Sequence, residues 1–453
     1  MPSRTTSTPR VAVLADSDTR WKWGALTAYR IQPDVRLDGY LLRGRATPTV
    51  RQLDEVGARA EQLREIRGVD FLDLMRDDAA SDAPYDVVVL ACVGGAVQAM
   101  LHGLARAWES GTAAAARRPV VVTGYVGVVY EKLADGLLLR HGADVVLANS
   151  RHDADRFRAV YRGVGADPGS VVECALPFLG GAPYTGAPDG TDRPCTVVFA
   201  AQPSVPDSRA DRTYLLRRAV EHARRHPGRE VLIKLRSKPG EHTTHIEELP
   251  YQKLAAKIPG GLPANCRLVY GNMGEILDRT DLMVTVSSTA ALESLHRGIP
   301  TAVLTDLGIR EALGNHHFLG SGCLASWDEL DAGHRPEPDP AWLARQGVAA
   351  DGGYERAFDA ARDRVTALRT ADRLPPITPY YTPRTAPGYL PGILARHGLD
   401  PHGAPLAGYA ADGPQTPGGL RKVARDTVRD AARGAYRHGV QRVAPAIRRW
   451  GQL

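Results

Sequence analysis

The chain is poor in cysteine, in long apolar runs and in lysine. Five cysteines (Cys92, Cys174, Cys195, Cys266, Cys323) are scattered over 453 residues, odd in number and without CxxC spacing. Four lie in or beside apolar stretches, which predicts buried free thiols and argues against a disulfide framework or a zinc ribbon. No apolar run approaches the roughly 18 residues that a membrane-spanning helix needs. The run Val11–Ala15 is too short for the apolar core of a signal peptide, so the expected location is the cytoplasm. Only seven of the 57 basic residues are lysine, and four of those (Lys234, Lys238, Lys253, Lys257) fall within 24 residues. That concentration directs attention to one stretch.

What is present is an ordinary globular composition, 43% hydrophobic and 24% charged. It excludes wholesale disorder and fibrous repeats. A prior of about 150 residues per domain gives two or three domains. The net charge of +6 is uneven. Residues 420–453 hold nine basic and two acidic residues, which leaves 48 basic and 49 acidic in the other 419. The basic pI therefore describes a tail on a near-neutral body.

Residues 10–180 alternate short β-branched runs with amphipathic stretches. Arg10–Ala15, Asp86–Cys92, Pro119–Thr123, Asp144–Asn149 and Val171–Ala175 read as strands, with helices over Val129–His141 and Ser150–Arg162. The Gly- and Pro-rich segment 181–194 reads as a linker. The same grammar restarts at 195–340, with strands at Cys195–Ala201, Glu230–Arg236, Cys266–Tyr270, Leu282–Val286 and Thr301–Leu304, and helices at Arg209–Arg225, Asn272–Arg279 and Thr289–Arg297. Unbroken apolar strands each followed by a helix indicate a parallel sheet covered on both faces. The expected fold is α/β: two Rossmann-like doubly wound domains, 10–180 and 195–340, with ligands in a cleft at the strands' carboxyl ends. Residues 341–372 read as one charged helix bridging back to the first domain, 373–419 as a Pro-rich strap, and 420–453 as a basic amphipathic tail.

The sharpest segment is LMVTVSSTAALESLHRGIPTAVL, Leu282–Leu304. A strand delivers Ser287, Ser288 and Thr289 to a helix start, a place suited to an anion. Glu293 follows one turn later, within reach of a ribose beside that anion. This segment resembles the nucleotide-binding unit of GT-B glycosyltransferases, above all the bacterial sialyltransferase, polysialyltransferase and Kdo transferase group with paired His-Pro and Ser-Ser motifs. Ser287-Ser288 matches the Ser-Ser motif, which in that group binds the donor phosphate. Gln202-Pro203 resembles that group's Gln-Pro. The His-Pro position departs: Lys234-Leu-Arg-Ser-Lys238-Pro239 puts Lys-Pro there, and His242 comes three residues late. The chain also resembles an uncharacterised family of glycosyltransferase-like proteins through its opening Asp-Ser-Asp-Thr-Arg-Trp-Lys-Trp-Gly. The resemblance implies a nucleotide-sugar donor, a glycan or cell-surface polymer acceptor, and no bound cofactor or metal. Lys234 and Lys238 would offset the leaving phosphate, and His242 would donate a proton.

That opening places Asp16 and Asp18 after the first strand, as candidate bases for an acceptor hydroxyl. Arg20, Trp21 and Trp23 would line the acceptor side, the tryptophans as flat faces for sugars, with Gly124 and Gly127 allowing close approach. Strand-Asp-x-Asp also opens haloacid-dehalogenase phosphatases, but Arg20 stands where those have Thr or Val. His222 and His226 lie one turn apart with no evident carboxylate between them, so no metal site is expected. A nucleotide-sugar 2-epimerase and a non-catalytic binding protein remain open alternatives. The tail has an Ala-rich apolar face opposite arginines, which suits an anionic membrane surface better than nucleic acid.

Overall fold

The computed structural model describes residues 8–44, 46–109, 118–129, 132–186, 193–238, 241, 247, 249–348 and 353–407. The described residues divide into two compact units, unit 1 up to residue 178 together with those from 345 on, and unit 2 between 179 and 344. The basic tail 420–453, His242 and Pro239 lie outside the described residues. Among the described residues, no helix is long and apolar enough to cross a membrane.

The β-branched runs become parallel strands buried on both faces. In unit 1 these are β1 (Arg10–Ala15), β2 (Arg36–Leu42), β3 (Gln62–Ile66), β4 (Val87–Ala91), β5 (Val120–Gly124), β6 (Val145–Ala148) and β7 (Val171–Glu173). Their order is β3-β2-β1-β4-β5-β6-β7, every pair parallel. Helices α1 (Asp18–Ile31), α2 (Val50–Val56), α3 (Gly68–Asp78), α4 (Gly94–Glu109), α5 (Leu133–Leu138) and α6 (Arg151–Gly163) connect them. Ser17 caps α1 and Ser150 caps α6, each accepting a backbone N–H from three residues on.

The two faces of the sheet take different partners. Ala12 and Leu14 of β1 join the core that includes Leu72 and Met75 of α3 and Met100 and Leu104 of α4. Val13 points the other way, against α1. That approach is so close that a Cβ on Gly24 would lie 2.6 Å from Val13 Cγ1 and 2.8 Å from Ala91 Cβ. Only glycine fits there.

Unit 2 repeats the plan. Its strands β8 (Cys195–Ala200), β9 (Arg229–Lys234), β10 (Cys266–Val269), β11 (Leu282–Thr285), β12 (Thr301–Leu304) and β13 (Leu324–Ala325) run β10-β9-β8-β11-β12-β13, all parallel. The helices are α7 (Arg209–Arg225), α8 (Tyr251–Ala255), α9 (Met273–Leu277), α10 (Ala290–His296), α11 (Trp327–Asp331) and α12 (Pro340–Arg345). In each unit the winding reverses between the first and fourth strands. Ligands of doubly wound sheets lie at the carboxyl side of that crossing.

Three expectations change in the structure. The strands β2, β3 and β13 escape the sequence reading: Asp38 and Gly39 interrupt the apolar run of β2, Gln62, Leu63 and Arg64 of β3 are exposed, and β13 has two residues only. The helix expected at Val129–His141 shortens to Leu133–Leu138. The single helix expected over 341–372 resolves into α12, a short 3-10 turn at Gly353–Phe358, and α13 (Asp359–Thr370), with 349–352 outside the described residues. Helix α13 buries Ala361 and Val365 against unit 1. The Pro-rich stretch then lies along unit 1 and forms α14 (Leu390–Ala395), whose Leu390 and Leu394 are fully buried beside α4.

Candidate functional site

In unit 2 the sequence-predicted residues meet at the crossing of β8 and β11. Gln202, just past β8, reaches across to Ser287, just past β11. Its Nε2 donates to Ser287 Oγ (3.2 Å) and its Oε1 accepts the Ser287 backbone N–H (2.9 Å). Ser287 Oγ in turn donates to the carbonyl of Leu313 (2.6 Å). Ser287 is 1% exposed. Its hydroxyl and the Gln202 amide therefore act as a clamp between strand ends, and the burial of Ser287 leaves its side chain to that clamp, where the Ser-Ser resemblance implied a phosphate ligand.

The clamp presents the next residues. Ser288 and Thr289 are half-buried. The Ser288 N–H donates to Thr285 Oγ1 (3.2 Å), and Ser288 Oγ accepts the Ala290 N–H (3.2 Å). Thr289 opens α10 without a side-chain cap. Glu293 lies one turn on, with little exposure. Lys234 ends β9; its buried ammonium donates to the Leu235 carbonyl (2.8 Å). Lys238 holds its Nζ 5.8 Å from the Tyr270 ring centre, and its backbone N–H donates to Glu241 Oε2 (2.7 Å).

A residue the sequence did not single out holds the facing loop after β8 in place. Arg212 of α7 is 1% exposed. Its NH1 donates to the carbonyls of Gln202 (3.0 Å), Pro203 (3.1 Å) and Pro206 (3.2 Å), and its NH2 to Glu247 Oε1 (2.7 Å). Burial raises the Glu247 carboxyl above the usual range, against the opposing pull of Arg212. Nothing in the sequence distinguishes Arg212 from the many exposed arginines.

In unit 1 the equivalent crossing lies between β1 and β4, and it is charged. Asp16 Oδ1 accepts from Arg20 NH1 (3.1 Å), and Asp16 Oδ2 accepts the Val93 N–H (2.9 Å). Arg20 NH1 also reaches Ser17 Oγ (3.3 Å). Asp18, first residue of α1, accepts from Thr19 Oγ1 (3.3 Å) and is half-buried.

Trp21 and Trp23 correct the expectation of sugar-stacking faces. Both are fully buried. Trp21 Nε1 donates to the Ala58 carbonyl (3.4 Å) and Trp23 Nε1 meets Asn149 Oδ1 (3.5 Å). Two residues apart, they leave α1 in different directions, Trp21 toward Gly39 of β2 and Trp23 toward Gly124 of β5. Gly124 belongs to the same packing: a Cβ there would lie 2.8 Å from Trp23 Cζ2 and 2.9 Å from the Leu147 carbonyl oxygen. Gly127 lies in the bend after β5 and is half-buried.

The histidine pair of unit 2 gains the carboxylate that the sequence did not reveal. His222 Nδ1 lies 2.6 Å from Asp331 Oδ1, and His226 Nε2 lies 4.0 Å from the same oxygen. However, Arg218 (3.1 Å) and Arg225 (2.5 Å) occupy Asp331 Oδ2, and Arg229 donates to His222 Nε2 (3.1 Å). A proton on His222 Nδ1 and three guanidiniums around the pair make this an ion-pair tie between α7 and α11. A bound cation would face those positive charges.

Two successive doubly wound parallel-sheet units make up the GT-B architecture. Solved structures with similar folds include a UDP-GlcNAc 2-epimerase from Neisseria meningitidis bound to UDP-GlcNAc, 11% identical over 79% of this chain and 100% of that one, TM-score 0.49. They also include a UDP-glucosyltransferase from Polygonum tinctorium, 11% identical over 80% of this chain and 99% of that one, TM-score 0.49. No curated protein matches the chain. The family model described as "Putative glycosyltransferase (DUF6716)" matches residues 11–368, and the chain belongs to that family.

Proposed function

We propose that the protein transfers a sugar from a nucleotide-activated donor to a glycan or surface-polymer acceptor, with the donor on unit 2 and the acceptor on unit 1. The observation that carries this reading is the crossing of β8 and β11. There a buried amide–hydroxyl clamp presents Ser288 and Thr289 beside the carboxylate of Glu293, in a chain of this family. Ser288 and Thr289 would take the donor phosphate and Glu293 the ribose hydroxyls. Lys234 and Lys238 would offset the charge on the leaving nucleotide, so the reading calls for no metal ion. Gln202 and Ser287 act through the turn they hold.

Of the two candidate carboxylates after β1, we assign the base to Asp18. Asp16 already accepts from Arg20 and from the Val93 N–H, so each of its oxygens is engaged. We assign Asp16 to positioning Arg20 and the start of α4. The tail 420–453 would bring the enzyme to anionic membranes; its removal should leave donor binding intact and reduce sedimentation with anionic vesicles.

The test is a product assay with nucleotide sugars in the presence and absence of acceptor extract. Nucleotide release that requires acceptor, and falls in Asp18→Asn, supports the reading. An epimerised free nucleotide sugar formed without acceptor would replace it with a 2-epimerase. No turnover with any donor would point to a binding protein.

A further inference from the structure

The Pro-rich stretch brings three tyrosines together on unit 1. The rings of Tyr380 and Tyr381 stand edge to face with centres 5.2 Å apart, and those of Tyr381 and Tyr389 repeat the arrangement at 5.2 Å. The cluster is held from beneath. The Tyr381 carbonyl accepts from His102 Nε2 of α4 (3.0 Å), and Tyr380 packs edge-on against His141 at 6.1 Å. Leu390, the residue after Tyr389, is fully buried, while Tyr389 itself is 41% exposed. Rings already fixed by packing lose little freedom when a ligand lands on them.

The hydroxyls of Tyr381 and Tyr389 converge on one carboxylate oxygen, Asp135 Oδ1, at 3.5 and 3.0 Å. Asp135 is exposed, in the first turn of α5. Among the described residues its other oxygen, Oδ2, receives no hydrogen bond, and it makes no ion pair. Tyr214 of unit 2, the other exposed tyrosine among the described residues, differs. Its hydroxyl also donates to a carboxylate, Asp306 (3.0 Å), but both Asp306 oxygens accept the Trp327 N–H as well (3.3 and 3.1 Å), and that side chain is 2% exposed. Tyr214 and Asp306 fasten the fold. Tyr389 and Asp135 present a ring and an unused carboxylate oxygen side by side. Arg396, at the end of α14, acts electrostatically on Tyr389 and balances the charge of Asp135.

This combination selects its occupant. An apolar partner would strip water from Asp135 and return no hydrogen bond. An anionic one would face the carboxylate, and a cationic one Arg396. An uncharged sugar suits both halves: its C–H face lies on the ring and its hydroxyls donate to Oδ2. We propose that Tyr389, Tyr381 and Asp135 form a subsite for an uncharged sugar unit of the acceptor. The proposal rests on the reading of unit 1 as the acceptor half. Helix α5 follows β5, two strands away from β1 in the sheet order and so about 10 Å across the sheet from the strand that leads to Asp18. The subsite therefore holds a unit other than the one that reacts, and the acceptor is an oligosaccharide or a polymer.

The test is saturation-transfer NMR on the full chain. The probes are neutral hexasaccharides of glucose, mannose, galactose and N-acetylglucosamine, with hexagalacturonate and hexa-arginine as acidic and basic counterparts. At least one neutral hexamer should bind. Tyr389→Ala and Asp135→Ala should each weaken it about ten-fold, and Tyr389→Phe, which keeps the ring, should hold it within about three-fold. Tyr214→Ala should leave binding unchanged. A tyrosine cluster that only fastens the Pro-rich stretch gives another pattern: a lower Tm in Tyr389→Ala with sugar binding intact. That result would overturn the proposal. So would binding of none of the neutral hexamers, undiminished binding in Asp135→Ala, or a stronger response to hexagalacturonate or hexa-arginine that the same variants abolish. Nucleotide binding to unit 2, followed in Glu293→Ala, reports separately. Sugar binding that fails while nucleotide binds strikes this subsite alone, and the reverse strikes the donor reading alone.

Discussion

The two units solve the same geometrical problem with different chemistry. In each, a residue just past the first strand hydrogen-bonds across the reversal to a residue just past the fourth. In unit 2 the link is neutral, Gln202 to Ser287. In unit 1 it is ionic, Asp16 to the Val93 N–H with Arg20 on its other oxygen. On the proposed reading, a neutral clamp leaves Lys234 and Lys238 to act on a donor phosphate. A carboxylate there would compete with the phosphate for them. At the unit 1 crossing the carboxylate is already matched by Arg20. The difference teaches that the shared topology fixes where the two strand ends are tied, and that the residue after the first strand sets whether the tie is neutral or ionic.

The comparison can be broken most severely behind the unit 1 crossing. Trp23→Ala should cost about 3–5 kcal/mol of unfolding free energy, because it empties a fully buried site under the strand ends. Urea unfolding checks this; unchanged stability with weakened acceptor binding would restore the tryptophan as a sugar platform. Gly124→Ala should cost about 1–3 kcal/mol, since the new methyl meets Trp23 and a backbone oxygen that cannot retreat. Calorimetry should show part of that cost recovered when Trp23→Phe is added.

Exchanging the chemistry sharpens the comparison further. Gln202→Glu gives unit 2 the carboxylate of unit 1. The fold should survive, while nucleotide affinity falls about ten-fold, roughly 1.4 kcal/mol, from repulsion of the donor phosphate. Isothermal titration measures it, and an unchanged affinity would remove the charge argument. A separate contrast concerns acid sensitivity. With a neutral crossing, unit 2's response should arise elsewhere, at His222. Burial lowers that histidine from 6.5 to about 4 in the folded state. Folding therefore favours its neutral form, and its contribution is present above about pH 6.5 and lost as pH falls toward 4. His222→Gln should flatten the stability profile across that window relative to the unmodified protein, as followed by Tm against pH.

Much of this fold is legible in the sequence because parallel strands buried on both faces read as unbroken β-branched runs. DVVVL and DVVLA mark β4 and β6 without ambiguity. In β2 the buried Asp38 and Gly39 interrupt that signal, and in edge strand β3 the exposed Gln62 and Arg64 do. The candidate donor turn was legible because Ser, Ser, Thr and Glu stand together in sequence. The residue that holds the facing loop after β8 was not. Arg212 acts on carbonyls six to ten residues away, through burial that no spacing announces. Trp21 and Trp23 misled for a related reason: two tryptophans close in sequence suit a sugar platform and a buried helix equally, and only packing decides.

The most direct test of the central claim is titration of CMP-, UDP-, GDP- and dTDP-sugars into the full chain, alongside Ser288→Ala and Glu293→Ala. The account predicts that one nucleotide class binds, and that both variants, folded by circular dichroism, weaken it at least ten-fold. Absence of binding by all four classes, or equal affinity in both variants, would contradict the assignment of the donor to unit 2.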